Sequence, residues 1–327
     1  MYSLRQEANM DNLIGVPEVV MFVGIPASGK STTSRKYSEK GYVILSSDDI
    51  RAVIVSEHPE LVHEDGHNDQ LHSLVFEHVR KEVIRLLKKG ISVVVDATNL
   101  RRKKRIAFIR NLGRVVCHKK CVLFITPREV CLERNSRREG VARVPDAAMK
   151  RMFSSFECPG YYEGWDEIET VISEIPYRFP FEETYDFAQD NIYHSLTLHG
   201  HLDATKKYAQ NKGFPPHIVE VAYYHDIGKL YVKEFKNRCG DTTETAHYYD
   251  HENYSAYLYL TEKCCGKELT DALLDEILYN TQLINCHMRP MNRWRSSTKG
   301  RKKDTDLFGE EFIADIDMLH EADRAAH

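Results

Sequence analysis

Zinc-type cysteine spacing is missing from this chain. None of its eight cysteines forms a C-x-x-C pair, and the adjacent Cys264-Cys265 is a poor zinc spacing. Thiols scattered this way argue against a structural zinc site and fit a reduced, cytoplasmic protein. No run of about 18 apolar residues occurs, so neither a transmembrane helix nor a membrane partner is expected. The opening Met1-Tyr2-Ser3-Leu4-Arg5-Gln6-Glu7-Ala8-Asn9 lacks the apolar core of a signal peptide. Internal repeats and low-complexity tracts are also absent.

What is present is length enough for two domains, 327 residues, with apolar content adequate for a core in each. The net charge of −4 is unevenly placed. Residues 1–178 hold 28 Lys/Arg against 24 Asp/Glu, and residues 179–327 hold 17 against 25. Residues 101–151 alone carry 16 basic and 4 acidic side chains. Such a segment suits a polyanionic ligand; a solvated helix face is the alternative.

Apolar runs at 18–24, 42–46, 91–96, 120–125 and 168–173 alternate with amphipathic stretches near 30–40, 68–89, 101–112, 128–138 and 146–156. This alternation predicts a parallel sheet with helices on both faces. Ile175-Pro176-Tyr177-Arg178-Phe179-Pro180-Phe181 then breaks the pattern as a linker, which gives domains 1–175 and 176–327. Beyond it, stretches near 191–211, 216–227, 246–263, 269–284 and 308–325 read as helices, interrupted by a basic polar loop from Arg293 to Lys303.

The most specific signal is Gly24-Ile25-Pro26-Ala27-Ser28-Gly29-Lys30-Ser31, a G-x-x-x-x-G-K-S loop between an apolar run and a helical stretch. Such a loop wraps backbone N–H groups, from Gly24 through Ser28 and Gly29 to Thr32, around phosphate oxygens. Lys30 then reaches the β- and γ-phosphates of ATP or another NTP, and the Ser31 hydroxyl holds Mg²⁺. Ser47-Asp48-Asp49-Ile50-Arg51 follows the second strand. Asp48 there can act as general base with Arg51 on the acceptor's end, or the acidic pair can simply open a helix. Asp96 ends the third strand and fits the magnesium shell. Arg134 and Arg138, four apart on a predicted helix, share a face that suits a transferring phosphoryl group or solvent.

Together, Gly24 to Ser31, Asp48-Asp49-x-Arg51, Thr98-Asn99-Leu100, Arg134-Asn135-Ser136-x-Arg138 and Val144-Pro145 resemble the P-loop domain of phage-type polynucleotide 5′-kinases over residues 18–156. The resemblance implies ATP and magnesium on Lys30 and Ser31, Asp48 as base, Arg51 on the acceptor, and Arg134 and Arg138 as lid arginines. Ala97 departs from the pattern, which places Asp directly before Thr-Asn.

The second half holds most of the 16 histidines. His225-Asp226-Ile227-Gly228-Lys229 ends an apolar helical stretch, with His201 upstream and His251, His287 and Asp323 downstream. Imidazoles and carboxylates suit Mn²⁺, Fe²⁺ or Mg²⁺. His194, His199, His217 and His320 are expected as surface or packing residues. Asp315-Ile316-Asp317 lacks the Gly-Thr of an aspartyl-phosphatase motif and has no preceding strand. This half resembles the HD superfamily of all-α metal-dependent phosphohydrolases. The resemblance implies His201, His225, Asp226 and Asp323 as ligands of a divalent transition metal and His251 and His287 as ligands of a second ion. It also implies Lys229 as a phosphate contact.

The expected fold is therefore an α/β P-loop kinase followed by an all-α HD phosphohydrolase domain. The leading expectation is an enzyme that heals RNA or DNA ends, phosphorylating 5′-hydroxyls and removing 2′,3′-cyclic or 3′-phosphates, with a nucleic-acid ligase as a natural partner. Arg289, Arg293, Arg295, Lys299, Arg301, Lys302 and Lys303 would guide the strand. The alternatives are a nucleoside or small-metabolite kinase fused to an HD nucleotide phosphohydrolase, and a non-catalytic regulator.

Overall fold

The computed structural model describes residues 15–61, 69–191, 195–295 and 297–326. The described residues form two compact units, one of Met1–Phe124 with Pro159–Val171, the other of Ile125–Cys158 with Ile172–His327. The N-terminal stretch and His194 singled out above lie outside the described residues.

In the first unit, strands β1 (Glu18–Val23), β2 (Val43–Ser46), β3 (Val93–Asp96), β4 (His118–Ile125) and β5 (Glu167–Ile172) form one sheet in the order β2-β3-β1-β4-β5. β1 runs parallel to β3 and β4, and β2 runs parallel to β3. All five predicted strands are present. Val19 through Val23 are at most 2% exposed, which is why β1 reads as a continuous apolar run: helices cover both faces of a parallel sheet.

Those helices are α1 (Lys30–Glu39), α2 (Ser47–Glu57), α3 (Asp69–Leu87) and α4 (Arg102–Leu112). Val19, Val93 and Val95 cluster with Val79 and Val83 of α3. The intervening Val20, Phe22 and Val94 cluster instead with Tyr37 of α1 and with Val122 and Phe124. The period of two thus divides β1 and β3 between two separate cores. Periodicity alone did not predict α2. Its first turn is the acidic alternative weighed for Asp48 and Asp49, capped by Ser46 Oγ accepting the Asp49 N–H at 3.2 Å.

The second unit is mainly helical: α5 (Arg128–Ser136), α6 (Asp146–Phe153), α7 (Leu198–Asn211), α8 (Pro216–Tyr224), α9 (Lys229–Val232), α10 (His251–Cys264), α11 (Asp271–Cys286), α12 (Thr298–Phe308) and α13 (Glu310–Ala325). One hairpin, β6 (Glu234–Lys236) with β7 (Thr242–His247), interrupts it. The stretch expected as a linker is anchored: Phe179 is fully buried, and its N–H donates to Glu262 of α10.

Residues 125–158 pack on α10 and α11 within this unit. Asn285 donates to the Phe156 carbonyl at 2.9 Å and accepts the Cys158 N–H at 2.9 Å. Asn253 donates to the Ser154 carbonyl at 3.0 Å. The Phe153 and Phe156 rings meet Tyr257 edge-on at 5.1 and 5.0 Å, and the Tyr257 hydroxyl donates to the Thr126 carbonyl at 2.6 Å.

The predicted basic loop is corrected. Residues 290–294 form a π-helical turn and 298–308 form α12. Asp304, 1% exposed, is the reason. It accepts the Trp294 Nε1–H at 2.9 Å and pairs with Arg289 at 2.6 Å and Arg293 at 3.4 Å. Arg301 stacks on Trp294 and pairs with Asp317. Three of the seven basic side chains expected to guide a strand are therefore folded onto acids of this chain.

Candidate phosphoryl-transfer and metal sites

In the first unit, the C-terminal ends of β1, β2 and β3 gather the predicted kinase residues. The loop after β1 passes so close to β4 that a Cβ on Gly24 would lie 2.8 Å from Phe124 Cβ. Gly29 adopts φ 107° at the start of α1, where its missing Cβ avoids strain. Lys30 Nζ donates to the carbonyls of Gly24 at 2.9 Å and Ile25 at 2.8 Å, so its ammonium group is held inside the loop. Ser31 and Thr32 are exposed in the first turn of α1. Gly24 N–H donates to the Thr98 carbonyl at 3.0 Å, and Asn99 Nδ2 donates to the Phe22 carbonyl at 2.8 Å. These bonds fasten Thr98-Asn99 to the root of the glycine loop.

Asp96 pairs in register with Ser46, immediately before α2. Its Oδ2 accepts the Ser34 hydroxyl at 2.6 Å. Burial raises its pKa, and the nearby Asp48 and Asp49 add to the rise against Lys30 and the Ser34 bond. Lys30, Asp96 and Asp48 thus share one electrostatic neighbourhood at the crevice where α/β sheets hold their ligands. Arg51 follows within α2.

Arg134 and Arg138 lie in the second unit. The helix expected to carry both ends at Ser136, so Arg138 stands beyond it. The reason is local: the Arg138 N–H donates to the Asn135 carbonyl at 3.1 Å, a tightened last turn. Asn135, 1% exposed, then clamps the returning chain. Its Nδ2 donates to the Val144 carbonyl at 2.7 Å and its Oδ1 accepts the Val144 N–H at 3.0 Å.

Sequence reasoning missed Arg105. Within the basic segment it is 1% exposed, paired with Glu163 at 2.6 Å, and donates to the carbonyls of Asn99 at 2.9 Å and Leu100 at 2.8 Å. It therefore supports the Thr98-Asn99-Leu100 loop from behind. Arg102 is 5% exposed. The charge run hid both, because net charge does not distinguish a buried guanidinium from a solvated one. The nearest cue was the acid Glu163, 58 residues away.

The second unit brings together all six histidines and aspartates predicted as metal ligands. His201 comes from α7, His225 and Asp226 follow α8, His251 opens α10, His287 follows α11, and Asp323 lies on α13. His201 Nε2 is 3.3 Å from Asp226 Oδ2 and 3.2 Å from Asp323 Oδ1. His225 Nε2 is 3.4 Å from each of the same oxygens. Asp226 Oδ1 turns the other way, 2.9 Å from His251 Nε2 and 3.4 Å from His287 Nε2. One carboxylate thereby joins two ligand groups, His201/His225/Asp226/Asp323 and Asp226/His251/His287.

The donor set fits cations. Nδ1 of His225, His251 and His287 faces a backbone carbonyl at 2.9, 2.7 and 2.8 Å, and that of His201 faces one at 3.3 Å. A carbonyl can only accept, so each Nδ1 carries the hydrogen, and each ring, when neutral, presents a bare Nε2. Yet His201 Nε2 lies 3.3 Å from His225 Nε2, and His251 Nε2 lies 3.3 Å from His287 Nε2. Lone pairs this close, turned toward carboxylate oxygens, call for positive charge between them. The local field agrees. Burial opposes charging His225, but Asp226 and Asp323 lift its pKa to about 10. Burial would raise the Asp226 carboxyl, but His225 and Lys229 hold it well below the usual range.

Lys229 Nζ is 2.6 Å from Asp226 Oδ2 and donates to Gln189 at 2.9 Å. Gly228 permits this assembly: a Cβ there would stand 2.4 Å from the His251 carbonyl, and its N–H donates to Ser255 Oγ at 2.8 Å. The turn bearing His225 and Asp226 therefore nests directly on the start of α10. His217 pairs with Asp315 at 3.0 Å, and His199 packs against Tyr185, as expected of packing residues. Asp315 and Asp317 lie within a helix, so the D-x-D alternative has no strand to stand on.

Residues 19–159 match the family model described as AAA domain. L-seryl-tRNA(Sec) kinase of Methanococcus maripaludis is 27% identical over 156 residues, covering 45% of this chain and 56% of that protein. This chain thus spans a little over half the length of the curated relative it matches. Among solved structures, a chain of the Pnkp1/Rnl/Hen1 RNA repair complex is 23% identical over 43% of this chain and 44% of that one, with a TM-score of 0.36. A gluconokinase from Sinorhizobium meliloti is 18% identical over 48% and 82%, with a TM-score of 0.35. No described helix is long and apolar enough to cross a membrane. The N-terminal region is a P-loop, kinase-like α/β domain on a parallel sheet, and the C-terminal region is helical.

Proposed function

We propose that this chain is a bifunctional nucleic-acid end-healing enzyme, with a 5′-hydroxyl kinase in residues 1–175 and an HD-type phosphohydrolase in residues 176–327. In the kinase reaction the glycine loop and Lys30 hold the triphosphate, with Mg²⁺ on Ser31 and the Asp96 shell. Asp48 takes the acceptor's proton, and Arg51 holds the acceptor's end. Arg134 and Arg138 offset charge on the transferring group. The name of the curated relative, a kinase of L-seryl-tRNA(Sec), supports an acceptor carried on RNA.

The observation that carries the second activity is the divided carboxylate of Asp226, with one oxygen turned to each ligand group. Divalent cations bound there lower the pKa of water and polarise a phosphoryl oxygen. His201, His225 and Asp323 would hold one ion, His251 and His287 the other, with Asp226 shared. Lys229 keeps Asp226 oriented through its 2.6 Å contact. The substrate is a 2′,3′-cyclic or 3′-phosphate end.

The test is a panel of defined oligonucleotides. A 5′-hydroxyl strand with labelled ATP should gain label, and a 3′-phosphate strand with Mn²⁺ should release phosphate. Transfer only to nucleosides or sugars would instead support the small-metabolite reading. One observation favours that reading: Arg289, Arg293 and Arg301 are occupied by Asp304 and Asp317, which shortens the basic track available to a long strand.

A further inference from the structure

Residues 187–190 carry no regular secondary structure, yet the second unit pins them from several elements. Leu198 at the start of α7 donates its N–H to the Phe187 carbonyl at 2.9 Å, and Ala246 of β7 donates its N–H to the Asp190 carbonyl at 2.8 Å. Lys233 Nζ donates to the Ala188 carbonyl at 2.6 Å. The Tyr248 hydroxyl donates to the carbonyl of Gln189. Asp190 is held at φ 47°, a left-handed conformation uncommon for a residue with a Cβ.

The side chain fixed in this way is that of Gln189, which is buried. Its Nε2 donates to the Leu196 carbonyl at 3.2 Å, and its Oε1 accepts from Lys229 Nζ at 2.9 Å. A carbonyl only accepts and an ammonium only donates, so the two ends of the amide cannot be exchanged. Lys229 is itself buried, 2.6 Å from Asp226 Oδ2 and 5.4 Å from the centre of the Tyr248 ring. A buried ammonium is costly without hydrogen-bonding oxygens around it. Gln189 supplies one such oxygen and Asp226 another, so the position of the amide governs where the ammonium meets the carboxylate.

We propose that Gln189 is a positioning residue of this centre: its amide oxygen holds the Lys229 ammonium against Asp226 Oδ2 and so fixes the carboxylate that the two ligand groups share. The inference rests on the phosphohydrolase reading. It adds a residue that belongs to neither ligand group and comes from the irregular stretch ahead of α7.

The test uses the full-length, Mn²⁺-loaded protein and a 3′-phosphate oligonucleotide, with metal content measured in parallel. Gln189→Leu should keep its metal and lower kcat about tenfold, the scale of one hydrogen bond to a charged group, while KM stays within about twofold. Added to Lys229→Met, it should lower kcat no further than Lys229→Met alone, because both remove the same contact. Gln189→Glu keeps an oxygen for Lys229 but gives up the donor to Leu196, so it should recover part of the rate. If Gln189→Leu fails to fold, Gln189→Asn, whose oxygen is one methylene short of Lys229, carries the same comparison. Wild-type kcat in Gln189→Leu would overturn the proposal. Additive losses in the double variant, or a Gln189→Glu no faster than Gln189→Leu, would overturn it too and leave Gln189 a clamp on Leu196. A second readout needs no turnover. In the Mg²⁺-loaded protein, the side-chain ammonium resonance of Lys229, identified by its loss in Lys229→Met, should shift in Gln189→Leu. A wild-type protein that loads Mn²⁺ but cleaves no phosphate ester would remove the phosphohydrolase reading itself. The resonance then decides whether Gln189 holds Lys229, and an unmoved signal would sink that hold.

Discussion

His251 Nε2 stands 2.9 Å from Asp226 Oδ1, while the other oxygen of that carboxylate faces His201, His225 and Lys229. The two ligand groups therefore share one residue, and their losses should not be equivalent. His251→Ala should cut bound Mn²⁺ from two ions per chain to one, and Asp226→Ala should remove both. Plasma-emission metal analysis on dialysed protein checks this. Equal stoichiometry in the two variants would refute a shared carboxylate.

Gly228→Ala should act through the same centre without removing a ligand side chain. The new methyl would meet the His251 carbonyl at 2.4 Å, so the start of α10 must shift. Overpacking of this kind costs about 1–3 kcal/mol. Metal affinity should fall together with the urea midpoint, and unchanged Mn²⁺ binding would contradict the nested turn.

The buried pair of Arg105 and Glu163 predicts a stability phenotype in the other unit. Arg105→Ala strands Glu163 without its partner and should cost about 3–5 kcal/mol in chemical denaturation. It also removes the donors to the Asn99 and Leu100 carbonyls, so KM for ATP should rise even in cold, fully folded protein. A variant as stable as wild type would show that the pair is dispensable.

Lys30→Ala should lower the kinase rate by at least about a hundredfold, the scale for losing one preorganised charge contact at a reacting group. Phosphate release from a 3′-phosphate strand should be unchanged. Asp226→Ala should give the mirror pattern. Joint loss of both activities in either variant, with the fold intact by circular dichroism, would refute independent chemistry.

Much of this organisation was legible in the residues. All five strands of the sheet are recoverable from local pattern, because apolar runs of four to eight residues are short-range signals, and the His225-Asp226 pair is equally local, whereas His201, His251, His287 and Asp323 joined it only through the resemblance to the HD superfamily. Other features depended on distant partners. The segment from Arg289 to Lys303 looks like a solvated loop until Asp304 is seen to be buried beneath its arginines. Arg105 looks like surface charge until Glu163 arrives from a separate part of the chain. Asn135 sits within an arginine motif, yet its two bonds to Val144 depend on a reversal that periodicity does not register. The end of α5 at Ser136, which separates Arg138 from Arg134, is a boundary of the kind that capping geometry decides.

The side chain of Asn285 grips the backbone at Phe156 and Cys158, two residues before His287 joins the cluster around Asp226. A gene cut at the prolines near 176 would strip the Phe153 and Phe156 rings of Tyr254 and Tyr257, and leave the freed fragment with a sticky aromatic scar. Breeders of single-activity versions would do better to silence one centre by point substitution than to amputate it.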